Sequence, residues 1–257
     1  MSAIFKKKQM GPVVLIVAVA LICLVVFLLL SEPAEEAKQP GDTSGAVQES
    51  NASTEQSGET YPAAVDELQG VSISLAEGMR ITEVGRYIGI YMEDGSDEIV
   101  SGVMMIAVTN EGENDIQYAE ITMPVGDKTA SFTLTTLPVG ETVILLEKNR
   151  MEYVPGVYTE ADIAGVALFQ TPLSLCEDRI QTQILDGAIN VTNISDEDIT
   201  GDVVIYYKNS AVDVYYGGIT YRVRLEGGLK TGEVRQVMAS HFSESGSSIM
   251  FITCGEN

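Results

Sequence analysis

The chain has 257 residues, 45% of them hydrophobic, with 24 Gly, 11 Tyr, no Trp and a single His. That apolar content excludes a wholly disordered chain, and a net charge of −22 excludes a protein that binds nucleic acid by neutralising phosphates. Lys6, Lys7 and Lys8 are the only basic residues before position 31, so the remaining 12 basic and 37 acidic side chains leave −25 on everything that follows.

Residues 1–11 read as a short basic tail. Gly11 to Leu30 reads GPVVLIVAVALICLVVFLLL, without a charge, and Pro12 stands where a first helical turn tolerates it. At ~1.5 Å per residue, a helix over 12–30 spans a hydrocarbon core of ~30 Å. Lysines before it and Glu32, Glu35 and Glu36 after it place the N-terminus in the cytoplasm and the rest outside. A cleaved signal peptide is the competing reading, but its apolar region runs ~7–15 residues and ends at small residues, whereas Ala18-Val19-Ala20 falls in mid-run. Ala20-Leu21-Ile22-Cys23 resembles a lipoprotein signal but has Ile22 where that family needs a small residue. Lys7-Lys8-Gln9-Met10-Gly11 is similar to a type IV prepilin cleavage site. Ile16 stands where that family carries Glu, and Pro33 would stop its long helix, which leaves a minor pilin-like subunit as an alternative.

Residues 31–61 are rich in Ser, Glu, Gly, Thr and Gln, with almost no large apolar side chain. Such a segment cannot bury enough surface to offset its ordering entropy and is expected to be a disordered linker. From residue 62 the pattern changes to short runs of Val, Ile, Thr and Tyr between Gly, Asp and Asn clusters, which predicts strands. The runs are Arg86–Met92, Ile99–Thr109, Ile116–Met123, Ala130–Thr135 and Thr142–Leu146, then Gly187–Thr192, Ile199–Tyr207, Val212–Tyr216, Ile219–Leu225, Arg235–Ser240 and Ile249–Thr253. Turn signals every 8–12 residues suggest sandwiches. A short helix is expected only over Tyr158–Phe169, in a connector.

The chain repeats itself. Ile106-Ala-Val-Thr-Asn110 with Asp115-Ile116 matches Ile189-Asn-Val-Thr-Asn193 with Asp198-Ile199 at an offset of 83, and Leu137-Pro-Val-Gly-Glu141 matches Leu229-Lys-Thr-Gly-Glu233 at 92. The second copy therefore holds nine extra residues, assigned to a Tyr-rich hairpin around Asn209–Gly218. These turns resemble small immunoglobulin-like domains of secreted and membrane-anchored bacterial proteins. The resemblance implies an all-β chain with two tandem immunoglobulin-like β-sandwich domains, 62–172 and 173–257, after one N-terminal transmembrane helix and a disordered tether. It speaks to fold and not to activity.

Catalytic chemistry is not found. The single His241 lies beside a Ser-rich turn, without G-x-S-x-G or another nucleophile motif, and reads as structural. One His and two distant Cys argue against a His/Cys zinc site, and no phosphate-binding Gly loop occurs. Asp196 to Gly201 fits the first half of a calcium loop, but Tyr207 replaces its final Glu, so these acids read as a solvated hairpin tip. Glu93 to Glu98 reads as a turn whose repulsive charge a cation would relieve. Cys176 and Cys254 form a candidate disulfide whose 79-residue ring would stabilise by ~3–4 kcal/mol; two buried free thiols are the alternative. Tyr206, Tyr207, Tyr215, Tyr216 and Tyr221 form a candidate partner-binding face, with cross-strand pairing as the ordinary alternative. Asn51, Asn190 and Asn193 open N-x-[ST] triplets, which carry no meaning in a bacterial protein.

The expectation is a non-enzymatic, single-pass binding or scaffolding protein of the bacterial cell envelope. It is held by residues 12–30 with its C-terminal domains extracellular, and needs no cofactor. Its partner would be another envelope protein or a cell-wall component, and no nucleic acid. A small-ligand or calcium-binding ectodomain is the alternative in a different class.

Overall fold

The computed structural model describes residues 64–96, 98–211 and 213–255. The tail, membrane helix and tether expected over residues 1–61 lie outside them. Among the described residues no helix is long and apolar enough to cross a membrane. The chain there is all-β: β1 (Ala64–Ser74), β2 (Met79–Ile90), β3 (Ile99–Asn110), β4 (Ile116–Val125), β5 (Lys128–Leu137), β6 (Thr142–Leu146), β7 (Asp162–Leu168), β8 (Ile180–Leu185), β9 (Ala188–Asn193), β10 (Val203–Ala211), β11 (Val214–Leu225), β12 (Val234–Met238) and β13 (Ser247–Cys254). One 3₁₀ turn, Ala76–Gly78, joins β1 to β2.

The strands form three sheets, ordered β1-β2-β3-β6-β11-β10-β13, β5-β4-β7 and β12-β9-β8. Alternation along the strands decides the packing. On β3, Met104, Ile106 and Val108 point to one face and join Ile121, Phe132, Leu134 and Val143 in a first buried core. A second core gathers Ile189, Val191, Ile199, Val203, Ile205 and Phe242. The opposite face of β3 is not left to solvent: Val103, Met105 and Ala107 join Tyr87, Tyr91, Ile144 and Leu146 in a third buried cluster, closed by Val214 and Tyr216 of β11.

The two halves are paired alike. β2–β3, β3–β6, β4–β5 and β4–β7 are antiparallel pairs, and so are β8–β9, β9–β12, β10–β11 and β10–β13. The repeated sequence motifs make the same bonds. Asn110 is fully buried; its Nδ2 donates to the carbonyls of Asn114 and Leu137, each at 3.0 Å, and its Oδ1 accepts from Gly112 N–H. Asn193 does the same with Glu197 at 2.8 Å, Leu229 at 3.1 Å and Ser195 N–H. Asp115 accepts Val139 N–H, as Asp198 accepts Thr231 N–H. The V-x-N, D-I and L-x-x-G-E residues thus form one hydrogen-bonded corner, built twice.

The halves differ at one hairpin. β4 and β5 are joined by the two residues Gly126 and Asp127, whereas β10 and β11 run on past the equivalent point to Ala211 and Val214. The extension carries Tyr215 and Tyr216 into parallel pairing with Val143 and Ile144 of β6. The nine extra residues therefore splice one sheet of each half into a single seven-stranded sheet.

The helix expected over Tyr158–Phe169 is instead strand β7 with its lead-in. It pairs with β4 from Asp162 to Leu168 and packs Ile163 and Leu168 on the first core, so sheet pairing overrides a weak helical pattern. The sequence reading also passes over β1, β8 and the first half of β2.

Candidate functional site

Two places concentrate chemistry: the splice between the halves, and the open side of the second half. At the splice, Gly217 and Gly218 let β11 pass close against its neighbours. A Cβ on Gly218 would lie 1.7 Å from the Thr133 carbonyl oxygen of β5, so no side chain fits there. Thr135 and Thr220 clasp the strands: Thr135 Oγ1 donates to Gly218 O at 2.8 Å and Thr220 Oγ1 donates to Thr135 O at 2.9 Å. The half-buried carboxylate of Glu93 accepts Gly218 N–H at 2.9 Å and Leu146 N–H at 3.0 Å. Lys208 is fully buried, and its Nζ donates to the carbonyls of Gly217, Gly218 and Ile219 at 3.1, 3.1 and 2.8 Å. Three donors meet three acceptors, which is the full capacity of an ammonium. Burial pushes Lys208 down to about 7, with the charge of Glu93 opposing the shift. Burial also raises Glu93, against the pull of the two N–H groups and Lys208.

Sequence reasoning missed Lys208 and took Glu93 only as one acid of the Glu93–Glu98 turn. The available signal was that Lys208 is the only basic residue between Arg179 and Arg222 and interrupts the apolar run Val203–Tyr207. Glu147 was missed too. It is fully buried between β6 and β7 and accepts the N–H groups of Ser131, Asn149 and Met151.

On the far side of the second half, β8 and β13 are the outermost strands of their two sheets. Between them lies an open groove of about 660 Å³, where Ile180 and Ile184 of β8 and Ile249 and Ile252 of β13 alternate with polar lining from Glu177, Gln181, Thr182, Ser247 and Ser248. Its size is that of a ligand-binding cleft. Its walls back onto the second core: Ile180 and Ile252 are buried there, and Ile184 and Ile249 are half-buried against it.

The five expected Tyr residues do not make one outward face. Tyr207 is buried and stacks on Tyr221, which stacks in turn on His241. Tyr206 stacks on Phe251 at 4.1 Å. Tyr215 packs on the first core and Tyr216 on the third cluster. Only Tyr215 and Tyr216 lie at the splice; the other three pack within the second half. His241 lies in the loop before β13, stacked on Tyr221.

Cys176 and Cys254 are brought together. Both are free thiols in this structure, hydrogen-bonded to each other, and Cys176 Sγ also donates to Ile252 O at 3.3 Å. Burial first, and then the Cys176 contact, push the Cys254 thiol up to about 12. In the Glu93–Glu98 turn, the relieving cation is Arg150, which bonds Asp94 at 2.8 Å and Glu98 at 2.5 Å and lies 4.5 Å over the Tyr91 ring. In Asp196–Gly201, Asp198 is occupied by Thr231 N–H, and among the described residues no group of three His, Cys, Asp or Glu is placed to hold a metal ion.

No protein family, no curated protein and no solved structure matches this chain.

Proposed function

We propose that the chain is a membrane-anchored binding protein of the bacterial cell envelope, non-enzymatic, whose two immunoglobulin-like lobes stand outside the cell and engage a partner through the second lobe. The observation that carries this reading is the open groove between β8 and β13, in which half-buried isoleucines of the second core are set among polar side chains. The immunoglobulin-like assignment is supported by strand order. In each half the first strand pairs the second and the second the fifth, while the third pairs the fourth and sixth, the A-B-E and C′-C-F arrangement of such sandwiches. Anchoring is supported by the uncharged run over residues 12–30 and the reversal of charge across it.

The test is fractionation of cells that express the full chain, followed by protease added from outside. The expected outcome is recovery with membranes and release of the acidic lobes by the external protease. Recovery in the soluble fraction overturns the reading. A small apolar ligand is the second reading, favoured by the groove's volume; a thermal shift with such a ligand, abolished by Ile249→Arg, would select it.

A further inference from the structure

We infer that the groove of the second lobe receives an extended segment of another protein. That segment adds to β8 as a strand and has aliphatic side chains at alternate positions with basic residues between them. This rests on the reading of the chain as a binding protein and supplies the chemistry of its partner.

β2 and β8 are equivalent strands of the two halves, as the matched pairings show. In the first half, β1 lies antiparallel on the outer edge of β2, with Gly70 opposite Glu83, Ile73 opposite Ile81 and Ser74 opposite Arg80. The segment Val71-Ser72-Ile73-Ser74-Leu75 alternates, and its three apolar side chains pack on the first core, Ile73 fully. In the second half no described strand lies on the outer edge of β8, and the flank that β1 would cover is the groove. The first half thus shows what closes the second: a strand of period two, giving main-chain hydrogen bonds to the edge and aliphatic side chains to the core.

A second observation points the same way. Solvent-facing edge strands are normally guarded by charge, Pro or a bulge. β1 carries Asp66 and Glu67 and two register breaks. β8 reads Ile180-Gln-Thr-Gln-Ile-Leu185, with no charge and no Pro, and pairs with β9 without a break. It is an edge left fit for pairing.

Charge selects the occupant. Residues 173–202 hold seven acidic side chains and one basic, Arg179. A second copy pairing β8 on β8 would bring Glu177 and Asp178 toward Asp186 of the other copy, a like-charge opposition. The chain's own residues 31–61 carry seven acids, one Lys and almost no large apolar residue, so they offer neither the side chains nor the charge. A foreign basic strand meets both needs.

The test uses the full chain in detergent micelles and a labelled ten-residue peptide alternating aliphatic residues with Lys. Two controls accompany it: the same composition in two blocks, and the alternating peptide with Glu for Lys. The expected result is saturable binding of the alternating Lys peptide, at least about tenfold tighter than either control. Hydrogen exchange on the unaltered chain should show new protection at β8 and none at β1. Ile249→Arg should weaken binding about tenfold or more, and Val234→Arg on the β12 edge should leave it unchanged. Equal binding of the block peptide, or binding without protection of β8, overturns the inference. A dimer that protects β8 without peptide assigns the edge to a second copy and overturns it equally. Because these assays need no membrane, their failure beside membrane recovery removes the strand site alone. Recovery in the soluble fraction beside successful peptide binding removes the anchoring alone.

Discussion

Lys208 and Glu93 give the molecule its most legible pH dependence. The folded pKa of Lys208 lies below its unfolded value, so between about 7 and the ordinary lysine range the unfolded chain binds a proton that the folded one does not. Stability through this group therefore rises with pH over that window, by at most about 5 kcal/mol at ~1.4 per unit, and is flat below it. Glu93 has the opposite sign: its folded pKa is raised, so its contribution is present at low pH and is lost as pH climbs above the ordinary carboxylate value. Denaturant titrations across pH should show an alkaline rise in stability that Lys208→Met flattens and, as pH climbs above the ordinary carboxylate range, a fall that Glu93→Gln reduces. An alkaline limb unchanged in Lys208→Met would show that the ammonium is not held at depressed pKa. The corner asparagines make a paired prediction. Asn110→Ala and Asn193→Ala each remove at least three hydrogen bonds from a buried corner, and each should cost about 2–3 kcal/mol. The neighbouring Cys176 and Cys254 should bridge under a thiol oxidant, slowly near neutral pH because the raised Cys254 thiol holds little thiolate. Loss of both thiols to alkylation, with a gain of ~3–4 kcal/mol, is the expected readout. Two thiols that still alkylate after oxidation would leave the pair as packing.

The element that decides the architecture is the β10–β11 hairpin, and its narrowest point is Gly218. Gly218→Ala places a Cβ against the Thr133 backbone, where nothing flexible can yield, and should cost ~1–3 kcal/mol or more. A neutral result in denaturant melts would mean that β5 and β11 do not approach as closely as 1.7 Å to that Cβ position implies. Much of this hairpin was legible: the offsets 83 and 92 located an insertion of nine residues, and the strands on either side fell where Val, Ile and Tyr alternate. What it joins was not legible, because edge pairing between β6 and β11 is a tertiary choice that leaves no period in either strand. The same limit explains the Tyr set. Adjacent Tyr residues must point to opposite faces, but which faces are covered depends on a second sheet that the local sequence does not encode. β8 escaped notice for a related reason. Ile180-Gln-Thr-Gln-Ile-Leu185 is short, and its polar members lack the β-branched density that marked the other runs. The groove beside it is defined by a strand that is not there, so only comparison with β1 and β2 exposes it.

At the scale of the whole described molecule, the seven-stranded sheet makes one body of two repeated lobes. In tandem domains joined by a plain linker each core melts by itself, whereas here β6 and β11 share backbone pairing, and the third cluster takes residues from both halves. The buried side chains of that cluster, Tyr87, Tyr91, Met105 and Leu146, lose their cover if the hairpin withdraws, so neither lobe can unfold without exposing apolar surface on the other. Calorimetry of the chain should accordingly give one transition, with calorimetric and van't Hoff enthalpies equal. The first half supplies the control in its own sequence, since it makes the same turn with Val125-Gly126-Asp127-Lys128. Replacing residues 209–219 by Gly-Asp, together with Lys208→Val so that no ammonium loses its carbonyls, should uncouple the lobes and give two transitions at separate temperatures. Two transitions in the unaltered chain would show that the sheet is continuous without being cooperative. A single one in the shortened chain would place the coupling elsewhere, at the aromatic contacts of Phe251 with Phe169, edge-on, and with Tyr206, stacked. Either departure would reassign the role of the nine inserted residues, which on the present geometry is to hold the open lobe at a fixed angle to the closed one, with its groove facing outward from a rigid body.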